Sequence, residues 1–250
     1  MLLTIRTIDH PRQHRTPWHV HESGQLYWVK QGIMIVETSQ AQWAVTPGTL
    51  GWFPANLCHR AHFPVALQAS GLYLGPSTSD LFPPVAGLYG ADSFVQALLE
   101  RLCRPIRPSM SDRYQKNLLT VLAEEVAFLP SLPLQLMLPL DRRARNVADH
   151  LLAYPDCALS QSQLAQQWGL SVRTLSRLFQ EQTGLSFSRW RQQAKLVKSL
   201  SQVLAGVPVS QVAYGSGYNN VSAYIAAFRE RFGMTPRQFR NKVGQIFFKS

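Results

Sequence analysis

Three histidines near the N-terminus have a spacing that could bind a metal ion. His19 and His21 are two residues apart, and His59 follows the turn that begins at Trp52. Side chains two residues apart in a β-strand project from the same face, so this pair could meet His59 inside a small β-structure. Three converging imidazoles suit a divalent transition metal. The pattern therefore predicts a candidate metal site at His19, His21 and His59.

The same segment resembles the cupins, in which His-x-His-x-x-x-Glu supplies three metal ligands and a later histidine supplies the fourth. In this chain Gln25 stands at the position of the glutamate. A neutral amide is a poorer ligand for a hard or borderline cation than a carboxylate. Three interpretations stay open: a bound divalent metal, a polar wall of a small-molecule pocket, or histidines with a structural role. The candidate effector-binding residues are His19, His21, Gln25, Trp28 and His59.

A second group of chemically informative residues lies in the C-terminal half. Arg173 and Arg177 are four residues apart, and each guanidinium can donate two hydrogen bonds to guanine O6 and N7. From residue 141 onward the chain has fifteen Lys/Arg and five Asp/Glu, whereas residues 1–140 have ten and nine. Clustered positive charge favours a polyanion, because it releases the counterions condensed on phosphates. A basic segment on a membrane surface is the competing interpretation.

An internal repeat includes these arginines. Ser162-Gln-Leu-Ala matches Ser210-Gln-Val-Ala at an offset of 48 residues, and after a turn the offset becomes 49. Each copy has the pattern of a helix-turn-helix, in which a first helix carrying a small residue packs closely against a second. The other matching positions are Gly169 with Gly217, Phe179 with Phe228, Gly184 with Gly233, and Trp190 with Phe239.

The first copy contains the richer set of outward-facing side chains. Ser160 or Ser162 is expected to begin its first helix, and Ser171 is expected to cap its second helix. The apolar positions of the second helix form an inward stripe. The positions that face outward or sideways are Arg173, Thr174, Ser176, Arg177 and Gln180.

A long helix predicted over residues 187–205 joins the two copies. Nineteen residues at about 1.5 Å each give a length of about 28 Å. Successive major grooves on one face of B-DNA are about 34 Å apart, so this helix could hold two recognition helices in adjacent grooves. Arg191, on its outer side, is either a phosphate contact or part of a solvated face.

The second copy resembles the signature of the AraC/XylS transcriptional regulators, and the first copy is similar to the upstream helix-turn-helix of that family. The resemblance covers about 110 residues. It implies one domain that recognises two adjacent major grooves, with dimerisation and effector binding through the front half. By motif position it implies base contacts from Arg173, Ser176, Arg177, Val221, Ser222 and Ala226. The residues that carry it are Ala213, Gly217-Tyr218, Phe228, Phe232-Gly233, Thr235-Pro236 and Phe239-Arg240.

The second copy has no arginine where members of the family often have one. It offers Asn219, Asn220 and small side chains instead. We therefore predict that the first copy carries most of the sequence recognition, while the second contributes thymine-methyl contacts, phosphate contacts and groove shape. The alternative for Arg173 and Arg177 is a solvent-facing helix surface. The candidate DNA-binding residues are Arg173, Thr174, Ser176, Arg177, Gln180, Arg191, Asn219, Asn220, Val221, Ser222 and Ala226.

The elements that must position these residues indicate an α+β protein. Short apolar runs separated by Gly and Pro favour a cupin-like β-barrel over about residues 1–85, and four-residue apolar spacing predicts helices over about 91–128. Residues 1–130 are expected to sense an effector and to dimerise, although the helices could instead only cover an open face of the barrel. Prolines predict an extended linker over 131–140. Residues 141–250 are expected to form an all-α domain of two helix-turn-helix units joined by the long helix.

The sequence also argues against several other classes of protein. It has no run of about 18 apolar residues and no charged N-terminal region followed by an apolar one, so we expect neither membrane insertion nor secretion. The three cysteines, Cys58, Cys103 and Cys157, form no C-x-x-C pair. They fit free, buried thiols in a reducing cytoplasm.

The leading hypothesis is a cytoplasmic, non-enzymatic transcription regulator that responds to an effector and forms a homodimer. Its expected partners are double-stranded promoter DNA, a small-molecule or metal effector, and RNA polymerase, which it would serve as activator or repressor. No cofactor is expected to be required, although the histidines are compatible with a divalent metal. One alternative is a metal-dependent cupin enzyme with a DNA-binding tail, which Gln25 disfavours. The other is an effector-independent regulator that bends DNA.

Overall fold

The computed structural model describes residues 3–11, 14–104, 112–132 and 134–245, with side chains described as far as Asn241. Within these residues the chain divides into two compact units. The second unit comprises Ser39–Gln42 and Leu134–Lys242, and the first contains the remaining strands and helices up to Phe128. Residue 133 of the predicted linker and residues 246–250 of the predicted C-terminal domain lie outside the described residues.

The first unit is built mainly from short strands, because Gly and Pro repeatedly interrupt its apolar runs. Its strands are followed by two longer helices that begin at Ser93 and Asp112. In chain order its elements are β1 (Leu3–His10), β2 (His14–Arg15), β3 (Gly24–Gln31), β4 (Met34–Glu37), β5 (Ala41–Val45), β6 (Thr49–Phe53), β7 (Arg60–Phe63), β8 (Leu67–Leu74), α1 (Pro76–Ser79), β9 (Gly87–Gly90), α2 (Ser93–Cys103) and α3 (Asp112–Phe128).

These strands form two sheets, which confirms the predicted cupin-like β-domain, although the described strands do not close into a complete barrel. One sheet has the order β1-β8-β3-β6-β9, so that β1 and β9 are its edges, and the other contains β5-β4-β7-β2 in that order. The rings of Trp43 on β5 and Phe53 on β6 meet edge to face with centroids 5.6 Å apart. The sheets therefore share a core without closing on each other.

The two long helices cover the other face of the first sheet. Leu98 of α2 and Leu122 of α3 belong to one buried cluster with Leu26 and Trp28 of β3. Phe94 of α2 is 50% exposed, whereas the next residue, Val95, is buried. Burial of these apolar side chains makes the main favourable free-energy contribution to packing of the helices on the sheet.

The second unit is helical in its described residues apart from the short strand β10 and the first two residues of β5. Leu134, Leu136 and Leu138 are buried, and the indole Nε1 of Trp190 donates to the Met137 carbonyl across 2.6 Å. Part of the stretch predicted as a linker is therefore packed into this unit. The elements are β10 (Gln135–Met137), α4 (Arg142–Ala153), α5 (Gln161–Gln167), α6 (Val172–Thr183), α7 (Phe187–Leu204), α8 (Val209–Gly215), α9 (Val221–Phe232) and α10 (Pro236–Gln245).

The α5–α6 and α8–α9 pairs have the same backbone geometry, as the internal repeat predicted. Gly169 and Gly217 adopt left-handed backbone angles with φ of 67° and 71°. The amide after each glycine closes the first helix: Leu170 N donates to the Ala165 carbonyl at 2.8 Å, and Tyr218 N donates to the Ala213 carbonyl at 3.0 Å. The same left-handed glycine turn therefore occurs in both copies.

The aromatic residues behind the two copies are also equivalent. In the first copy Phe179 packs edge to face against Trp190, with centroids 5.0 Å apart. In the second copy Phe228 packs edge to face against Phe239, with centroids 5.7 Å apart. All four side chains are buried, so each second helix is fixed on its own aromatic core.

Two further expectations can be compared with the structure. No helix of the described residues is long and apolar enough to span a membrane. The three cysteines are free, with Cys103 and Cys157 half-buried, but Cys58 is exposed, so its predicted burial is wrong.

Candidate nucleic-acid interface and effector site

Local capping fixes where the first helix-turn-helix begins and ends. Ser160 caps α5 in a capping box with Gln163, because each side chain bonds the backbone amide of the other residue. Ser171 Oγ accepts from the Thr174 amide at 3.1 Å and begins α6. Gly184, with φ of 73°, ends α6 in the left-handed conformation. These caps are short-range sequence features, which is why the helix boundaries were predictable.

The α6 helix presents its arginines to solvent and its apolar side chains to the core. Leu175 and Phe179 are fully buried, whereas Arg173 and Arg177 are exposed. Arg177 Nη1 donates to Glu181 Oε2 across 2.7 Å, one turn further along the helix. Two guanidinium groups at a spacing of four residues therefore lie on the face of α6 that is turned away from the core.

Two predicted DNA-binding hydroxyls of α6 already have partners in the chain. Ser176 Oγ accepts a hydrogen bond from Gln161 Nε2 at 2.8 Å. The Thr174 hydroxyl lies 2.9 Å from Ser171 Oγ, which caps the helix. Both side chains are half-buried, so they connect α6 to its surroundings. Gln161 was not predicted, because its contact joins two different helices and no local pattern marks it.

The α9 helix of the second copy is capped by Asn220 and carries small side chains on its outer face. Asn220 Oδ1 accepts from the Ala223 amide at 2.7 Å and caps the helix. Asn219, Ser222 and Ala226 are exposed, and Val221 is half-buried. The predicted contacts of this copy are therefore accessible, except that the side-chain oxygen Oδ1 of Asn220 already caps the helix.

The connecting helix α7 has 18 residues and is about 27 Å long. Arg191, predicted as a phosphate contact, lies on this helix, but its guanidinium is directed into the chain. It donates to the Leu159 carbonyl at 2.7 Å and to the Cys157 carbonyl. Arg191 therefore holds the segment that leads into α5, because these carbonyls satisfy its donors. Contact of Arg191 with a DNA phosphate stays a prediction.

In the first unit, backbone pairing brings the three histidines together. His19 and His59 lie opposite each other in an antiparallel bridge, with reciprocal amide-to-carbonyl distances of 2.9 and 3.0 Å. The ring centroids of His19 and His59 are 4.5 Å apart, and those of His19 and His21 are 4.8 Å apart. One ring nitrogen from each of the three residues lies within 4.8 Å of the others. The convergence predicted from the spacing is present in the structure.

The hydrogen bonds of two of these rings determine which nitrogen carries the proton. His19 Nδ1 lies 2.8 Å from the Pro17 carbonyl, and His59 Nδ1 lies 2.8 Å from the Leu57 carbonyl. A carbonyl oxygen only accepts, so Nδ1 is the donor and Nε2 of the neutral ring keeps its lone pair. His59 Nε2 is buried and has no hydrogen-bond partner among the described residues.

Burial also keeps two of the imidazoles neutral. Burial, together with the smaller effects of the nearby His19, His59 and Arg6, lowers the pKa of His21 to about 4. Burial likewise lowers the pKa of His59, although the bond to the Leu57 carbonyl opposes the shift. At neutral pH these rings therefore present lone pairs instead of positive charges.

Gln25 and Trp28, the other predicted effector residues, lie on opposite faces of β3. Gln25 is paired in register with Phe53 and Tyr73, and these two rings contact His59 and His21 with centroid distances of 6.3 and 5.7 Å. Register partners point to the same side of a sheet, so Gln25 faces the histidines.

Trp28, in contrast, packs in the cluster beneath α2 and α3. Its prediction as an effector residue is not supported by this placement. Tyr73, which the sequence analysis did not select, occupies the histidine side of the sheet together with Tyr27, since the two side chains are hydrogen-bonded.

Comparison with known proteins agrees with both halves of this architecture. Residues 4–119 match the family model of an AraC-like ligand binding domain, and residues 164–242 match that of a helix-turn-helix domain. The chain belongs to the AraC family. It is a DNA-binding transcriptional regulator of that family, with an N-terminal ligand-binding domain followed by the helical DNA-binding domain.

Individual relatives of this AraC-family regulator are also transcriptional regulators. It is 26% identical over 224 residues to the HTH-type transcriptional regulator NimR of Escherichia coli K12, an alignment that covers 90% of this chain and 82% of NimR. It is 38% identical over 109 residues to the regulator RipA of Corynebacterium glutamicum, covering 44% of this chain and 32% of RipA. Among solved structures, ToxT of Vibrio cholerae aligns with 12% identity and a TM-score of 0.41, over 96% of this chain and 98% of ToxT.

Proposed function

We propose that this AraC-family regulator recognises promoter sequence mainly through α6, with α9 as a weaker second element. The observation that carries the proposal is the exposed pair Arg173 and Arg177, which is directed outward from the buried Leu175 and Phe179. Each arginine can donate two hydrogen bonds to a guanine and so contribute about 1–3 kcal/mol of discrimination against the wrong base. The predicted base-reading positions of α9, Val221, Ser222 and Ala226, lack such a donor fork.

The length of α7 supports binding to two adjacent grooves. About 27 Å of helix separates the first helix-turn-helix from the second, about 7 Å less than the repeat of the major groove, a difference that modest bending of the duplex would cover. Residues 141–250 have ten more basic than acidic side chains, which supplies the phosphate attraction that any such complex needs.

The first unit is proposed to receive the effector and to form a homodimer. Effector binding is supported by the polar histidine side of the two sheets. There Gln25 Nε2 and His59 Nε2 are buried without a hydrogen-bond partner among the described residues. Dimerisation through α2 and α3 is supported by apolar side chains that these helices leave in solvent. The exposed apolar residues are Phe94, Tyr114, Val121 and Phe128. An apolar patch on an otherwise polar helix surface favours a protein contact.

We further propose that the chain has no enzymatic activity, acts in the cytoplasm and communicates with RNA polymerase. The named relatives are transcriptional regulators, and Gln25 replaces the acid that a catalytic cupin would use. No observation favours the enzyme alternative over a regulator, and the same holds for an effector-independent protein that bends DNA.

Genome-wide mapping of bound sites tests the proposed function in cells. The full chain is expected to be enriched at promoter-proximal sites that share one sequence motif, and the double variant R173A/R177A is expected to lose most of that enrichment at equal protein abundance. Transcript levels next to the sites would show whether regulation is activating or repressing. Absence of site-specific enrichment, or equal enrichment of the variant, would contradict the proposal.

A further inference from the structure

The geometry points to a binding site for a borderline divalent transition metal, of the Zn²⁺, Co²⁺ and Ni²⁺ class, at Nε2 of His19 and His59 and one ring nitrogen of His21. This inference rests on the proposed function in one respect, because it names the chemical class of the effector or of an effector-holding ion. The metal site itself is independent of DNA binding. The two can therefore be tested separately on the same protein.

Three nitrogen ligands from two separate segments of the chain converge. One ligand atom from each histidine lies within 4.8 Å of the others, and tetrahedral metal–nitrogen bonds of about 2.0–2.1 Å would bring such atoms to about 3.3 Å with small ring movements. The backbone bridge between His19 and His59 holds the segments in place. The site is thus largely formed before a metal binds.

Backbone carbonyls fix the orientation of the His19 and His59 rings. The Pro17 and Leu57 carbonyls each accept the Nδ1 proton of a histidine. Metal-binding histidines almost always use the non-ligating nitrogen in this way, which fixes the ring and directs the other lone pair at the ion. In His59 that remaining nitrogen is buried without a partner among the described residues. A buried polar atom left in this state costs free energy that a metal ion would recover.

The chemistry of the ligands limits which ions fit. Three imidazoles are borderline ligands, and the described part of the cluster contains no carboxylate. Mg²⁺ and Ca²⁺ require oxygen ligands and are disfavoured. Gln25 faces the same side and is buried, with its amide nitrogen unpaired within the described residues. Three protein nitrogens leave a coordination position open, so a small donor molecule could bind to the ion.

Co²⁺ binding to the metal-depleted full chain, without a polyhistidine tag, tests the inference. We expect one Co²⁺ per chain by calorimetry, with visible absorption bands typical of low-coordinate Co²⁺, and a rise in the melting temperature with Zn²⁺ or Co²⁺ but not with Mg²⁺. H21A and H59A are expected to weaken Co²⁺ binding at least about tenfold. H14A is the matched control, because His14 is an exposed histidine of the same unit outside the cluster, and it should bind Co²⁺ normally.

The variants also separate the metal site from the fold and from DNA binding. If H59A fails to fold, H21A decides, since His21 is only half-buried. Both variants should retain affinity for a DNA duplex in the absence of metal. Absence of stoichiometric Co²⁺ binding, or an equal loss in H14A, would overturn the metal site while leaving the DNA-binding proposal intact. Normal Co²⁺ binding by a wild-type chain that does not bind DNA would overturn the DNA-binding proposal and leave the metal site intact.

Discussion

Arg177 and Glu181 form an ion pair of 2.7 Å along the exposed face of α6, with more than half of each side chain in solvent. Such a pair contributes little to stability, because solvent screens it and both side chains lose conformational freedom. The pair does lie on the helix face that we assign to DNA. The pair is therefore more informative about recognition than about folding.

Replacing Arg177 is expected to weaken binding to specific DNA by about 5- to 150-fold, the equivalent of about 1–3 kcal/mol. Choice of sequence should relax at one position, because a bidentate contact to one guanine is lost. The matched control is E181A, which removes the partner but keeps the arginine. It should leave affinity equal or higher, since one negative charge near the phosphates disappears. Gel-shift titration at fixed salt measures the affinity and specificity of both variants. Wild-type specificity in R177A would contradict the assignment of Arg177 to base recognition.

Replacing Arg191 is expected to affect stability instead of base recognition. R191A leaves the Leu159 and Cys157 carbonyls without their charged donor, and we expect a loss of about 1.5–3 kcal/mol of unfolding free energy. Urea unfolding followed by circular dichroism measures it. R173A is the comparison variant, because Arg173 is exposed and should lower DNA affinity with unchanged stability. If R191A unfolds like the wild type and lowers only DNA affinity, Arg191 contacts phosphate after all.

The two equivalent turn glycines are expected to differ in their tolerance of alanine. Both have positive φ, so each substitution should cost about 1–2 kcal/mol for the left-handed backbone. A Cβ at Gly169 meets no atom within 4 Å among the described residues, whereas one at Gly217 would lie 2.8 Å from Lys195 Nζ and 3.1 Å from Asp156 Cα. G217A should therefore be the less stable variant in thermal unfolding. Equal melting temperatures would show that the packing around Gly217 relaxes freely.

Asn220 and Asn219 are expected to behave differently although they are adjacent. N220A removes the cap of α9 and should cost about 0.5–2 kcal/mol of stability. N219A should leave stability unchanged, because its side chain is exposed and away from the cap. Thermal unfolding of both variants measures the difference. A destabilised N219A with a normal N220A would mean that α9 begins one residue earlier.

Self-association is expected to depend on the outer face of α2 and α3. F128D places a charge on a side chain that is 87% exposed, so it should spare the fold and raise the dimer dissociation constant at least about tenfold if this face is the interface. V85D is the control, because Val85 is 66% exposed but precedes these helices. Sedimentation equilibrium measures the constant. A dimer unaffected by F128D would place the interface elsewhere.

The helical half was largely predictable because its signals are local. Ser171, Asn220 and the left-handed glycines determine helix ends through neighbours only a few residues away. The repeat then supplied an internal check on each element. Arg191 was not predictable in the same way, since its carbonyl partners lie 32 and 34 residues earlier in the chain, and only folding brings them to it.

The β-rich half was predictable in class but less so in detail. Strand β3 is buried on both faces from Gly24 to Val29, so no alternation of polar and apolar residues shows which face Trp28 occupies. The His19 and His21 pairing with His59 was predictable because it follows from the two-residue period of extended chain. The open edges of the sheets depend on strand order, which no local pattern encodes.

Selection of duplexes from a random-sequence DNA pool by the purified full chain tests the central claim most directly. The wild type is expected to select a bipartite motif whose halves are about 10–10.5 base pairs apart, with one half rich in guanine and more strongly specified. The R173A/R177A variant should lose that half and keep the other. A single unsplit motif, no motif, or an unchanged motif in the variant would contradict recognition through α6.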